Sequence, residues 1–184
     1  MKAVFADTFY FLALLNATDP AHPKAIKTSK APDQPFVTTE FVLLELADAL
    51  SKPPLREEMK AVYVLIENSS SFRVVAASSE LLKRGLALYH GRPDKECQLT
   101  DCISFVVTED QRITDALTGD RHFEQAGFKA LLKQLVHTSR VPGAVGRWVL
   151  RGRIEKQRPF CIKSFVRSGE PTTATKTFRC DGKK

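Results

Sequence analysis

With 184 residues, 43% hydrophobic and 27% charged, the chain has the composition of a soluble protein that can bury a real core, and its size fits one compact domain plus an extension. The apolar stretch Ala3 to Ala6 is cut short by Asp7, too early for a secretory signal, and no apolar run reaches the length of a membrane span, so the expectation is a cytoplasmic protein with no membrane partner. Cys97, Cys102, Cys161 and Cys180 contain no CxxC pair, which favours reduced thiols over a disulfide framework or a zinc site. The net charge of +7 is uneven: residues 1–135 hold 16 Lys and Arg against 18 Asp and Glu, whereas residues 136–184 hold 12 against 3. The basicity therefore belongs to the C-terminal segment, and it does not mark the core as a nucleic-acid binder.

In chain order, Lys2 to Ala6 reads as a buried strand, and Asp7-Thr8 supply N-cap residues for a helix over Phe9 to Leu15 that Asn16 closes. A turn at Asp19-Pro20 leads to a short helix near His22 to Lys30. Pro35 to Thr38 is a second strand, after which Thr39 caps a helix that runs through Leu50 and stops before Pro53-Pro54. Leu55 to Asn68 is helical by period, Phe72 to Ala76 is a third strand, and Ser78-Ser79 open a helix to about Tyr89, with Gly91 as its stop. Thr100 is expected to cap a helix from Asp101 to about Glu109. Thr114 to Thr118 reads as a weak strand, Arg121 to Ala126 as a short helix ended by Gly127, and Phe128 to Leu132 as a last strand.

Strands alternating with helices as far as residue 132 predict an α/β fold, an open and mostly parallel sheet flanked by helices. The expected domain is 1–135. Beyond it, residues 136–184 hold five of the nine glycines, three prolines and a Thr-rich run with no clear helical period, which predicts an irregular basic tail.

Four acids fall where such a fold opens its crevice. Asp7 and Asp120 lie past the carboxyl ends of strands, Asp101 lies in the first turn of a helix, and Glu45 lies two turns into another. Each has an innocent reading alone: Asp7 as a cap, Asp101 as a complement to a helix dipole, Asp120 as a turn residue. Glu45, set among Leu43, Leu44 and Leu46, is harder to explain without a partner. Two carboxylates about 4 Å apart at an effective dielectric near 20 repel by roughly 4 kcal/mol. A converging set therefore predicts strongly raised pKa values or a bound divalent cation, and the cation is the better reading. Hard cations held by carboxylates suit phosphodiester cleavage, while the chain has no P-loop and no GxSxG. His122 stands out among four scattered histidines only because it is two residues from Asp120.

The segments FADTFYFLALLN, TTEFVLLEL, LTDCISF and ALTGDRHFEQAGF resemble, in order and spacing, the four acidic motifs of the PIN-domain family, in particular its VapC-type toxins of toxin–antitoxin pairs. The resemblance spans about residues 1 to 135. It implies a PIN-like fold in which Asp7, Glu45, Asp101 and Asp120 are the catalytic residues and the ligands of one or two Mg²⁺ or Mn²⁺ ions, with Thr8 and Ser104 as supporting hydrogen-bond partners. It further implies an endoribonuclease acting on RNA, a homodimer and a cognate antitoxin. RNA would be held by the ions and by patches such as Lys83-Arg84 and Arg92 to Lys95, with Arg121 as a further phosphate contact. The helices Phe9 to Leu15 and Leu55 to Asn68 are candidate dimer or antitoxin surfaces, with core burial as the default for both. The competing expectation is a non-catalytic RNA-binding or regulatory protein of the same fold, working through its basic tail.

Overall fold

A computed structural model describes residues 2–133, apart from Pro32, Pro93 and Lys95. The apolar run behind Lys2 becomes β1 (Val4–Ala6), the central strand of a five-stranded sheet, and its three residues are all buried. A strand buried along its whole length needs cover on both faces, which is the condition of a parallel sheet with helical crossovers. The chain follows β1 with α1 (Thr8–Leu15), α2 (His22–Ser29), β2 (Phe36–Thr39) and α3 (Glu40–Ala49). A single 3₁₀ turn at Pro53–Leu55 then leads into α4 (Arg56–Glu67), β3 (Phe72–Val75), α5 (Ser79–His90) and α6 (Leu99–Asp110). The last elements are β4 (Asp115–Leu117), α7 (Arg121–Gln125) and β5 (Lys129–Ala130).

The sheet order is β3-β2-β1-β4-β5 and every pairing is parallel. The chain winds outward from β1 to β3, then returns to the other side of β1 to place β4, with Phe5 opposite Ala116 and Ala6 opposite Leu117. Adjacent strands whose connections leave in opposite directions open a crevice beyond their carboxyl ends. That point lies between β1 and β4, so Asp7 and Thr118 emerge side by side there.

Two aromatic groups fill the core. Phe5 on β1 meets Phe123 at 6.0 Å between ring centroids, and Phe123 packs edge-on to Phe105 of α6 at 4.9 Å. Around β2, Phe36 stacks on Phe72 at 4.7 Å and faces Tyr10 of α1 at 6.0 Å. Each such side chain, fully buried, stabilises the fold by about 1.5–3 kcal/mol. The aromatic contacts therefore pin α1 to β2 and, through Phe123, α6 and α7 to β1, and these three helices lie next to three of the four acids. Helices α5 and α6 approach closely because Gly85 has no side chain: a Cβ there would press on Ile103 of α6, 3.4 Å from its Cα.

Among the described residues no helix is long and apolar enough to cross a membrane. The helix expected from Asp101, with Thr100 as its cap, begins instead at Leu99 with Gln98 as its cap residue, because Asp101, third in the helix, reaches back to accept the Gln98 N–H at 3.1 Å. The expected tail, residues 136–184, and its boundary lie outside the described residues.

Candidate active site

Asp7 takes the extended conformation of a helix cap ahead of α1, with φ −88° and ψ 165°, yet its carboxylate makes no capping hydrogen bond. The side chain is free for the crevice. It is buried, and its pKa rises from 3.8 to about 7, chiefly because burial strips water from the charged form and next because the Asp101 charge lies nearby. Thr118, leaving β4, opposes the rise by hydrogen bonding, Glu45 adds to it, and the Thr8 backbone opposes it.

Asp101 is also buried, and its pKa rises from 3.8 to about 7, again with burial as the largest cause. The Gln98 amide pulls it down, while Asp120 and then Glu45 push it up. The four acids thus share one electrostatic neighbourhood although they come from four segments. Glu45, half-buried on α3, accepts the Thr8 hydroxyl at 2.6 Å through Oε2. Its surroundings differ from the expectation of three leucines: Leu43 and Leu46 point into the core, whereas Leu44 is 61% exposed, so Glu45 sits at the margin of the buried face. Asp120 caps α7, accepting the His122 N–H at 2.9 Å, and its own amide donates to Thr118 Oγ1 at 3.0 Å. Caps and ligands are therefore not exclusive here, because a carboxylate has two oxygens and about four lone-pair sites.

As placed, no three His, Cys, Asp or Glu side chains among the described residues lie close enough to ligate one ion. The chemistry of the donor set nonetheless fits a hard divalent cation. All four donors are oxygens, two of them are buried carboxyls held protonated to about pH 7 by desolvation and by their neighbours, and Ser104 Oγ, one turn along α6 from Asp101, is buried with no hydrogen-bond partner.

Other expectations fare differently. Arg84 is not free for phosphate, since it is paired through both terminal nitrogens with Asp110 at 2.7 Å. Arg92 lies over the Phe105 ring at 5.9 Å, and Lys95 is outside the described residues. Arg121 approaches Glu96 at 3.8 Å. His122 Nε2 stands 3.7 Å from Asp120 Oδ1, and its Nδ1 is buried without a partner. In α1 the side chains of Tyr10, Phe11 and Ala13 are core, while α4 leaves Tyr63 and Val64 nearly half exposed. Thr118, absent from the expected set, serves both Asp7 and Asp120. Its signal in the sequence is a hydroxyl at the end of the strand just ahead of Gly119-Asp120.

The PIN domain family matches residues 4–129, and the chain belongs to that family. Within it, the chain is similar to a VapC-type protein: the crystal structure of Mycobacterium tuberculosis VapC20, described as a Sarcin-Ricin loop cleaving toxin, matches with 27% identity and a TM-score of 0.60. The match covers 68% of this chain and 95% of that one. No curated protein matches the chain.

Proposed function

We propose that the chain is a metal-dependent endoribonuclease, the toxin of a type II toxin–antitoxin pair, which hydrolyses RNA phosphodiester bonds. The observation that carries this reading is the pair Asp7 and Asp101, buried at the switch point of the sheet, each acid raised to about 7 with the other acids among the causes. Two such groups are unfavourable in a structural role, and they lie where α/β folds bind ligands. The likeness to VapC20, a toxin that cleaves the Sarcin-Ricin loop, supports RNA as the substrate class, an antitoxin as the partner and a VapC-type assembly, which we take to be a homodimer.

Asp7, Glu45, Asp101 and Asp120 would hold Mg²⁺ or Mn²⁺, with Ser104 Oγ as an additional oxygen nearby. A divalent cation supplies positive charge that stabilises the phosphate in the transition state and makes water a better nucleophile. The rest falls to the protein. Thr8 fixes the rotamer of Glu45, the Gln98 amide orients Asp101, and the His122 amide orients Asp120. Burial of Asp7 and Asp101 lowers the local dielectric, which strengthens every charge interaction with the substrate phosphate.

Purified protein is expected to cleave RNA with Mg²⁺ or Mn²⁺ and to stop on addition of EDTA. Undiminished cleavage in EDTA, with contaminating nucleases excluded, sinks the metal assignment. In cells, induced wild type is expected to arrest growth and generate new RNA ends, and Asp7→Asn to do neither. Equal toxicity of the two would overturn the reading.

A further inference from the structure

Cys97 and Cys102 stand beside the acid site, and the proposed chemistry uses neither. Because Gln98 caps α6, Cys97 is the residue just before the cap and Cys102 is the fourth of the helix. Those two positions habitually fold against each other at a helix start, where they form an apolar staple. Here the staple is made of sulfur. The two Sγ atoms lie 3.3 Å apart, both thiols are free, and only Cys97 reaches solvent. Cys97 Sγ is also 3.9 Å from Asp101 Oδ2, and Asp101 is the chain neighbour of Cys102. Along with Arg92, Phe105, His122 and Gln125, Cys97 lines a cavity of about 250 Å³, room for a small reagent to approach it.

We propose that Cys97 and Cys102 form a covalent modification site, closed to an intramolecular disulfide by a low-molecular-weight disulfide oxidant, and that closing it disables the neighbouring Asp101. In the first step Cys97 gives up its proton, which burial and the neighbouring Cys102 and Asp101 make harder and which sets a slow pace, and its sulfur attacks one sulfur of the oxidant RSSR; a Cys97–SR bond forms, the S–S bond of the oxidant breaks, and the departing RS⁻ takes up the proton that Cys97 lost. Cys102 then attacks the Cys97 sulfur, the second RS⁻ leaves with the Cys102 proton, and the Cys97–Cys102 bond remains. The two cysteines lose two electrons and two protons, and RSSR is reduced to two RSH. Cys102 is buried, so it acts as the resolving thiol from within the structure.

The change reaches Asp101 in two ways. The sulfurs must close from 3.3 Å to about 2.05 Å, which draws the residue before the helix toward its first turn and shifts the Gln98 N–H that orients Asp101. Oxidation also removes the S–H group that Cys97 directs at the Asp101 carboxylate. Groups that orient a metal ligand are typically worth about 10–100-fold in affinity or activity.

The consequence for cleavage rests on the nuclease reading; formation of the bond does not. The test uses the full chain with Cys161→Ser and Cys180→Ser, so that no other thiol contributes. Oxidised glutathione is applied for hours, free thiols are alkylated and the protein is digested with trypsin, which leaves Cys97 and Cys102 in one peptide, residues 96–112. That peptide is expected to be unalkylated and lighter by two hydrogen atoms, RNA cleavage to fall about tenfold or more, and dithiothreitol to restore it. Cys97→Ser should be indifferent to the oxidant. A doubly alkylated peptide after prolonged treatment overturns the proposal, and so does a closed disulfide that leaves cleavage unchanged. If the reduced protein cleaves no RNA, the nuclease reading is what fails, and the peptide mass alone decides whether the site exists.

Discussion

Asp7 and Asp101 carry opposite instructions for stability and for activity. In the metal-free protein both keep their protons to about pH 7, whereas the unfolded chain releases them near 3.8. The folded state binds more protons between those values, so this contribution to stability is full below about pH 4 and is lost as pH rises through 7. For fully buried Asp7 the displacement from 3.8 to about 7 corresponds to about 4 kcal/mol at 1.36 kcal/mol per pK unit, an upper figure for one of several coupled acids. Melting in EDTA is therefore expected to occur at lower temperature at pH 8 than at pH 5, and Asp7→Asn, neutral throughout, should flatten that fall and melt above wild type at pH 8. Parallel profiles for the two proteins would refute the raised carboxyl. Activity should move the other way: Asp7→Asn, Glu45→Gln, Asp101→Asn and Asp120→Asn are each expected to lower turnover at least about a hundredfold, or about 2.7 kcal/mol of transition-state stabilisation. Glu45→Gln is the cleanest of the four, because its amide oxygen can still accept the Thr8 hydroxyl and the local structure stays held. Single-turnover cleavage rates with the melting temperature of each variant separate a lost ligand from a lost fold.

Helix α6 carries Asp101 and Ser104, and its position depends on how near α5 can come. Gly85→Ala would gain about 1 kcal/mol of helix propensity, but the new methyl meets Ile103 in a buried seam, where overpacking typically costs about 1–3 kcal/mol. The clash wins because its partner includes a buried β-branched residue next to its own backbone, so the variant should melt lower and cleave more slowly, whereas an equally stable and active variant would show that the seam yields freely. The same helix marks the limit of what the sequence discloses. Caps at Thr39 and Ser78 are local chemistry and are found as expected, accepting from Val42 and Leu81 at 3.1 Å. At the start of α6 two polar residues, Gln98 and Thr100, compete for the cap, and the acid three residues after Gln98 decides between them. Asp7 and Asp120 draw notice in the sequence by following strands, Asp101 by its helix start and Glu45 by its leucine neighbours; in the structure Asp101 and Glu45 raise the pKa of Asp7, and Asp120 and Glu45 raise that of Asp101. The exposed Leu44 and the Arg84–Asp110 pair are set by three-dimensional packing, which periodicity does not encode, and the contact of Cys97 with Cys102 follows from where α6 starts.

At the scale of the molecule, 12 basic against 3 acidic residues in 136–184 leave two equal expectations, an arm that meets phosphate without sequence preference and an extension with no role. If the arm works on RNA, deleting residues 137–184 should leave cleavage intact but weaken RNA binding and make its dependence on salt shallower, since fewer counterions are released. An unchanged salt slope in filter binding would deny the arm a role, and loss of the core's melting transition would move the domain boundary. The innermost pairing, Phe5 with Ala116, joins residues 111 positions apart, and Asp120 follows just beyond it. A growing chain on the ribosome holds Asp7 from its first moments but cannot set Asp120 beside it until almost the whole domain has left the exit tunnel. At about 5–20 residues per second the interval is on the order of ten seconds. Until then Asp7, Glu45 and Asp101 stand without Asp120, so the complete set of acids, and any chemistry it carries, is first present when the domain that frames it is already made.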